Sequence, residues 1–146
     1  MFDEEIVCKT EKDTQNLAIN FAKFLPHNAS IALVGDLGTG KTTFVHGLAR
    51  GLGIPDIIRS PSFNILNIYP SNVSLLHIDA YRLDGSERAT DALMLDDFLI
   101  PPYILVVEWP ERLYNFLEKC NFKVVFSTGD DFSRTICIRQ THQLFH

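Results

Sequence analysis

The chain has 146 residues, of which 46% are hydrophobic and 21% are charged, and its net charge is −5. This length predicts one domain, spanning residues 1–146, with a single core, and the composition is that of a folded protein rather than a disordered one. The acidic balance argues against a protein that binds nucleic acid unaided, because neutralising phosphates requires clustered Lys and Arg. An acidic start and the lack of an apolar run of about 20 residues argue against export and membrane insertion, so we expect a cytoplasmic protein.

The first half of the chain predicts a strand, a helix, a second strand and a second helix. A short strand spans Glu5 to Thr10, and a capping-box pattern beginning at Thr10 starts a helix that ends at Pro26. The apolar run Ser30 to Val34 then stops at Gly35, where a glycine-rich loop leads into the second helix. Strand, loop and helix follow one another in the order that a phosphate-binding P-loop requires.

The second half of the chain predicts strands that alternate with short helices. Its elements are a hairpin over 64–69 and 73–79, a helix over 85–98, a buried strand over 103–107, a short helix over 113–119 and a hairpin over 122–127 and 134–139. An antiparallel insertion thus lies inside an α/β pattern. The helix over 85–98 has the least regular apolar spacing, and the pair Pro101-Pro102 ends it.

The glycine-rich loop itself is the clearest chemical motif. Residues 35–42 spell G-D-L-G-T-G-K-T and match G-x-x-x-x-G-K-[ST], whose glycines allow backbone N–H groups to surround a phosphate. In this motif Lys41 reaches the terminal phosphates, the Thr42 hydroxyl helps to hold Mg²⁺, and the N-terminus of the following helix favours negative charge. The motif predicts nucleotide binding.

Two acidic residues compete for the role of the carboxylate that a P-loop protein needs near Mg²⁺. Asp79 and Glu108 each end a predicted strand, from where a side chain can project toward the loop, although an acid at a strand end is also a common surface feature. His77 shares a sheet face with Asp79 and is either a hydrogen-bonded packing residue or a catalyst. Trp109 either stacks on a nucleotide base or fills the core.

Other features narrow the class of protein. No Asn-Lys-x-Asp motif is present, which disfavours a dedicated GTPase, and the five histidines lack metal-binding spacing. The three cysteines are widely spaced and predict buried, reduced thiols. Ser60 and Ser62 follow Arg59 in a predicted loop, where they are either a phosphate-sensing switch or an ordinary turn.

Four segments taken together resemble the bacterial TsaE family, the small ATPases of tRNA threonylcarbamoyladenosine biosynthesis. These segments are G-D-L-G-T-G-K-T-T-F at 35–44, S-P-S-F at 60–63, H-I-D-A-Y-R-L at 77–83 and V-E-W-P-E-R at 107–112. Their order and spacing agree with that family over nearly the whole chain. Ser62 departs from the family's usual Thr, and the stretch 93–102 fits the family pattern poorly.

The resemblance implies a P-loop NTPase-like, three-layer α/β domain with a mixed, mainly parallel β-sheet and antiparallel hairpins. It implies an Mg²⁺-dependent ATPase, weak alone, that supports a threonylcarbamoyl-transferase complex of TsaB and TsaD type and meets tRNA only indirectly. Asp79, Lys41 and Glu108 are then catalytic, and Thr42 and Glu108 hold the metal ion. The ATP-binding residues that it implies are Asp36, Leu37, Gly38, Thr39, Gly40, Lys41, Thr42, Thr43 and Trp109.

Two alternative functions stay open from the sequence. A small-molecule P-loop phosphotransferase would need an acceptor pocket and a basic lid, and no lid insertion is evident between the core elements. A nucleotide-dependent binding module would use ATP only to shape a docking surface. An in-line attack of water on the γ-phosphate remains the favoured mechanism, with Asp79 or Glu108 ordering the water or the metal ion. Arg82 is a candidate to supply additional positive charge.

Overall fold

A computed structural model describes residues 1–36, 38–55 and 64–141, which form one mixed β-sheet with helices against both faces. The strands are β1 (Glu5–Cys8), β2 (Ala29–Val34), β3 (Leu66–Tyr69), β4 (Ser74–Asp79), β5 (Tyr103–Glu108), β6 (Phe122–Thr128) and β7 (Arg134–Gln140). The helices are α1 (Glu11–Ala22), α2 (Lys41–Gly51), α3 (Glu87–Asp91) and α4 (Phe116–Lys119), with 3-10 turns at Leu95–Asp97 and Pro110–Arg112.

The sheet has the order β1-β7-β6-β2-β5-β4-β3. Its four central strands, β6, β2, β5 and β4, are parallel to one another, whereas β1, β7 and β3 join the edges as antiparallel partners. The α/β class and the mixed sheet with antiparallel hairpins are confirmed, with parallel pairing concentrated at the centre. Because β2, β4 and β5 are parallel, their carboxyl ends meet at one edge of the sheet.

Helix α1 begins where the sequence predicts. The Thr10 hydroxyl accepts a hydrogen bond from the backbone N–H of Asp13 at 3.0 Å, and the Asp13 carboxylate accepts one from the Thr10 N–H. This reciprocal capping ends β1 at Cys8, two residues short of the predicted strand end, because Thr10 serves the helix rather than the sheet.

Helices α1 and α2 pack closely on one face of the sheet because α2 carries glycine at the contact. A Cβ added at Gly47 would lie 2.5 Å from the Gln15 carbonyl oxygen and 2.6 Å from the Ala18 Cβ, and one added at Gly51 would lie 2.5 Å from the Ala22 Cβ. The buried aromatic residues Phe21, Phe44 and Phe122 fill the core beneath the two helices. This packing fixes the start of α2 over the sheet edge.

Replacing Gly47 by Ala is expected to lower the free energy of unfolding by about 1–3 kcal/mol, because the new methyl group overlaps the α1 backbone. The clash outweighs the gain in helix propensity of roughly 1 kcal/mol that Ala brings. Urea unfolding measures the difference, with Arg50→Ala at an exposed position of α2 as the control. A Gly47→Ala protein as stable as the parent would show that α1 and α2 can separate without cost.

The predicted helix over 85–98 is wrong. The structure has α3 over five residues and then the 3-10 turn Leu95–Asp97, separated by Met94 with a φ of 52°. A left-handed residue cannot continue a helix, so the chain turns there. The helix predicted over 113–119 is also shorter, because Asn115 has a φ of 57° and α4 starts only after it. Leu95 of the 3-10 turn and Phe116 of α4 pack in a second core cluster with Leu76 and Ile78, on the other face of the sheet.

The three cysteines, Cys8, Cys120 and Cys137, are free and buried, as predicted. Burial raises the pKa of the Cys8 and Cys120 thiols, which keeps them protonated and unreactive. Within residues 1–36, 38–55 and 64–141, no helix is long and apolar enough to cross a bilayer.

Candidate active site

The glycine-rich loop lies at the carboxyl end of β2 and leads directly into α2. Gly38 and Gly40 have φ angles of 76° and 97°, in the left-handed region that favours glycine. Gly35 allows β6 to approach, because a Cβ there would lie 2.9 Å from the Phe126 Cβ. The Thr39 hydroxyl donates to the Asp36 carbonyl oxygen at 2.7 Å, which closes the turn. The motif thus has the strand, loop and helix context that the sequence predicts.

Lys41 is folded back over its own loop. Its Nζ donates to the Gly35 carbonyl oxygen at 2.7 Å and lies 4.5 Å from the centroid of the Trp109 ring. Only 5% of the residue is exposed. The buried ammonium donates to a carbonyl oxygen and faces an aromatic ring. An anionic phosphate would be a stronger hydrogen-bond acceptor for this ammonium than either of them.

The two acidic residues that compete in the sequence are neighbours in the structure. Asp79 pairs with Glu108 in the parallel ladder of β4 and β5, and Glu108 also pairs with Leu33 of β2, just before the loop. Cross-strand partners place their side chains on the same face of a sheet. Asp79 Oδ1 accepts a hydrogen bond from the Tyr81 backbone N–H at 3.0 Å. Both carboxylates therefore project at the sheet edge that carries the loop.

His77 makes a buried hydrogen bond to Glu108. Its Nε2 lies 2.7 Å from Glu108 Oε2, the imidazole is fully buried, and Glu108 is 6% exposed. Among residues 1–36, 38–55 and 64–141, none hydrogen-bonds to the His77 Nδ1. The sequence left His77 open between packing and catalysis, and the structure shows a buried residue in direct contact with a predicted site residue.

Trp109 begins a compact aromatic and cationic cluster after β5. It has a φ of 54°, and its ring meets the Tyr81 ring edge to face at a centroid distance of 5.1 Å. The Arg112 guanidinium lies over both rings, at 4.9 Å from Tyr81 and 5.6 Å from Trp109, and also donates to the Tyr81 carbonyl oxygen. The Trp109 ring therefore has Lys41 and Arg112 within cation–π distance.

An open pocket of about 390 Å³ lies between these groups. Its lining residues are Glu11, Gly38, Gly40, Lys41, Thr42, Thr43, Asp79, Glu108, Trp109 and Arg134. Among the predicted site residues, Asp36 is exposed and Thr39 is buried, and neither lines this pocket. Leu37 and the predicted switch residues Ser60 and Ser62 lie outside the described residues. The volume falls within the usual range for ligand sites, roughly 300–1,000 Å³.

Arg134 is a pocket residue that the sequence did not indicate. It begins β7, and its Nε lies 3.7 Å from where a Cβ on Gly40 would stand. Its guanidinium also donates to the Phe132 carbonyl oxygen at 2.7 Å. Arg82, the arginine that the sequence suggested, is exposed and does not line the pocket. Besides Lys41, the pocket therefore receives positive charge from Arg134 of the terminal hairpin.

The donor atoms in the pocket fit Mg²⁺. Thr42, Asp79 and Glu108 supply hydroxyl and carboxylate oxygens, which are the ligands that this hard cation prefers. Among residues 1–36, 38–55 and 64–141, no group of three or more His, Cys, Asp or Glu side chains is arranged to hold a metal ion by itself. Mg²⁺ commonly keeps several waters and takes further oxygens from a substrate phosphate.

Comparisons with known proteins identify the family to which the chain is similar. The family model described as "Threonylcarbamoyl adenosine biosynthesis protein TsaE" matches residues 8–136. Proteins named tRNA threonylcarbamoyladenosine biosynthesis protein TsaE include one from Nostoc that is 36% identical, over 89% of this chain and 82% of its own. Another, from Treponema pallidum, is 32% identical, over 90% of this chain and 97% of its own.

A solved structure shows the same architecture. The crystal structure of YdiB from Bacillus subtilis superposes with a TM-score of 0.75 at 28% identity, covering 96% of this chain and 87% of that one. The matched segment 8–136 includes the loop, both strand-end acids and Arg134. On the family match and these identities, the chain belongs to the TsaE family.

Proposed function

We propose that this chain is an Mg²⁺-dependent ATPase of the cytoplasm that supports threonylcarbamoyladenosine modification of tRNA. It acts on the threonylcarbamoyl-transferase complex of TsaB and TsaD type and does not itself transfer the group. The observation that supports the proposed ATPase activity is that one pocket at the loop is lined by Lys41, Thr42, Asp79 and Glu108. The names of the relatives carry the link to tRNA modification.

The loop and Lys41 would bind the phosphates of ATP. Gly38 and Gly40 turn the backbone so that the loop and the first turn of α2 present N–H donors to an anion. Lys41 would exchange the Gly35 carbonyl oxygen and the Trp109 ring for phosphate oxygens. Charge that develops on the phosphoryl group during hydrolysis would be stabilised by this ammonium.

The two strand-end acids would have different roles, one in binding the metal ion and the other in orienting water. Thr42 and Glu108 would hold Mg²⁺, which when bound neutralises phosphate charge and orients the reacting group. Asp79, one strand farther from the loop, would order the attacking water. Trp109 would lie beside the nucleotide, because it already contacts Lys41.

Hydrolysis by the isolated chain is expected to be slow. Arg134 is the arginine that lines the pocket, and it is held by the Phe132 carbonyl oxygen, whereas Arg112 is held over Tyr81. P-loop sites of this kind gain large rate increases when a partner supplies or orders an arginine. A net charge of −5 also gives the chain little affinity of its own for tRNA, so contact with RNA would run through the partner complex.

The test measures ATP hydrolysis and tRNA modification in the same reaction. Purified protein, with and without the TsaB- and TsaD-type proteins and tRNA, is assayed for phosphate release and for modified adenosine. We expect slow Mg²⁺-dependent hydrolysis alone and faster turnover, with renewed modification, when all components are present. Transfer of phosphate to a small acceptor would favour a phosphotransferase. Modification that continues without hydrolysis would favour a nucleotide-dependent binding module.

A further inference from the structure

His77 lies on β4, beside the edge strand β3, in a buried position where an apolar residue would cost less. The imidazole is fully buried between β3 and β5 on a strand whose other central residues are Leu75, Leu76 and Ile78. No atom in the described part of the chain hydrogen-bonds to its Nδ1, and an unsatisfied buried polar atom destabilises a fold. Replacing a buried polar pair by apolar residues is often neutral or stabilising. A contribution to stability alone therefore does not explain why a histidine occupies position 77.

The burial of His77 favours one direction for its hydrogen bond to Glu108. A separation of 2.7 Å between Nε2 and Oε2 requires a hydrogen between them, because two lone pairs would otherwise face each other. A hydrogen on Nε2 makes the imidazole the donor and leaves Nδ1 with a bare lone pair, which is less costly to bury than an N–H without an acceptor. Burial therefore favours the tautomer with its hydrogen on Nε2, in which His77 donates and Glu108 accepts.

The register of the sheet explains why this bond reaches the pocket. His77 and Asp79 lie two residues apart on β4 and share a face, and Asp79 pairs with Glu108 on β5. The imidazole thus approaches Glu108 from the core side, while Glu108 lines the pocket with Thr42. One carboxylate oxygen is fixed from within the protein, which sets the angle at which the carboxylate faces the pocket.

We propose that His77 is a positioning residue for Glu108, and that its Nε2–H holds the carboxylate in the orientation that binds Mg²⁺ with ATP. The inference rests on the proposed function. Outer partners that orient a metal ligand commonly change metal affinity by about 10–100-fold when they are removed. His77 is fully buried and does not line the pocket, so its effect would be exerted through Glu108.

The test measures Mn²⁺ binding by electron paramagnetic resonance, in the presence of a non-hydrolysable ATP analogue, for the parent, His77→Leu and His77→Gln. We expect His77→Leu to weaken Mn²⁺ binding by about 10-fold or more. His77→Gln places an amide N–H near the position of Nε2 and is expected to restore most of the affinity. Binding of the analogue without metal should be unchanged in both variants.

The controls separate a positioning role from a structural one. Leu75→Val alters packing on the same face of β4 without touching Glu108, and it should leave Mn²⁺ binding unchanged. Thermal unfolding of each variant establishes that the protein measured is folded. Parent-like Mn²⁺ affinity in a folded His77→Leu protein, or no restoration by Gln, would overturn the inference. A parent protein that fails to bind Mn²⁺ with the analogue would instead overturn the proposed function.

Discussion

Replacing Lys41 by alanine is expected to lower the rate of ATP hydrolysis by about 100-fold or more, because the phosphates lose the positive charge that the loop supplies. The ammonium is buried and 2.7 Å from the Gly35 carbonyl oxygen, so it already stands within the loop. Phosphate release at saturating Mg²⁺ measures the rate, and calorimetric titration with a non-hydrolysable ATP analogue measures the accompanying loss of affinity.

A second variant at Lys41 distinguishes the loss of charge from a loss of stability. Lys41→Met keeps an apolar stem against Trp109 but removes the charge, so both variants should lose hydrolysis even if only one is less stable. Lys23→Ala, an exposed lysine beyond the end of α1, is the control and should hydrolyse ATP like the parent. Parent-like hydrolysis by Lys41→Ala would mean that the loop is not the hydrolytic site.

We expect the amide variants of the two strand-end acids, Glu108 and Asp79, to have different kinetic defects. Glu108 lies on β5, beside the strand that leads into the loop, and is held by His77, so Glu108→Gln should raise the Mg²⁺ concentration for half-maximal rate by about 10-fold or more. Asp79→Asn should lower the maximal rate by roughly 100-fold while leaving the Mg²⁺ requirement near that of the parent. Rates measured across a series of Mg²⁺ concentrations distinguish the two.

The pair of variants decides which acid binds the metal ion. Both substitutions preserve side-chain shape, and Asp91→Asn, at an exposed position of α3, controls for the loss of one negative charge. The reverse pattern would assign the metal to Asp79 and the water to Glu108. Parent-like kinetics in both amide variants would contradict a role for either acid in hydrolysis.

The local rules of sequence predict much of this site. Gly35, Lys41 and Thr42 lie in a contiguous motif, and Asp79 and Glu108 end apolar runs, so the meeting of parallel strand ends brings them together. The capping box at Thr10 is equally local and is confirmed. The placement of these residues could be predicted because each depends on neighbours that are close in the chain or on one geometric property of parallel sheets.

Other features depend on contacts that no local pattern contains. Arg134 reaches Gly40 only because β7 lies beside β6, which pairs with β2, and this order is set by the packing of the whole sheet. The hydrogen bond between His77 and Glu108 depends on the register of β4 against β5. Met94 interrupts the predicted helix without a glycine or proline to mark the break, so apolar spacing alone overestimated its length.

Trp109 gives the protein a built-in optical reporter. It is the only tryptophan in the chain, and the Lys41 ammonium stands 4.5 Å from its ring centroid. Indole emission responds to the electric field of nearby charges, so its wavelength and intensity depend on where that ammonium lies. A phosphate that draws Lys41 from the ring would therefore change the emission spectrum, and occupancy of the loop could be followed by intrinsic fluorescence, without a label and before any bond is broken.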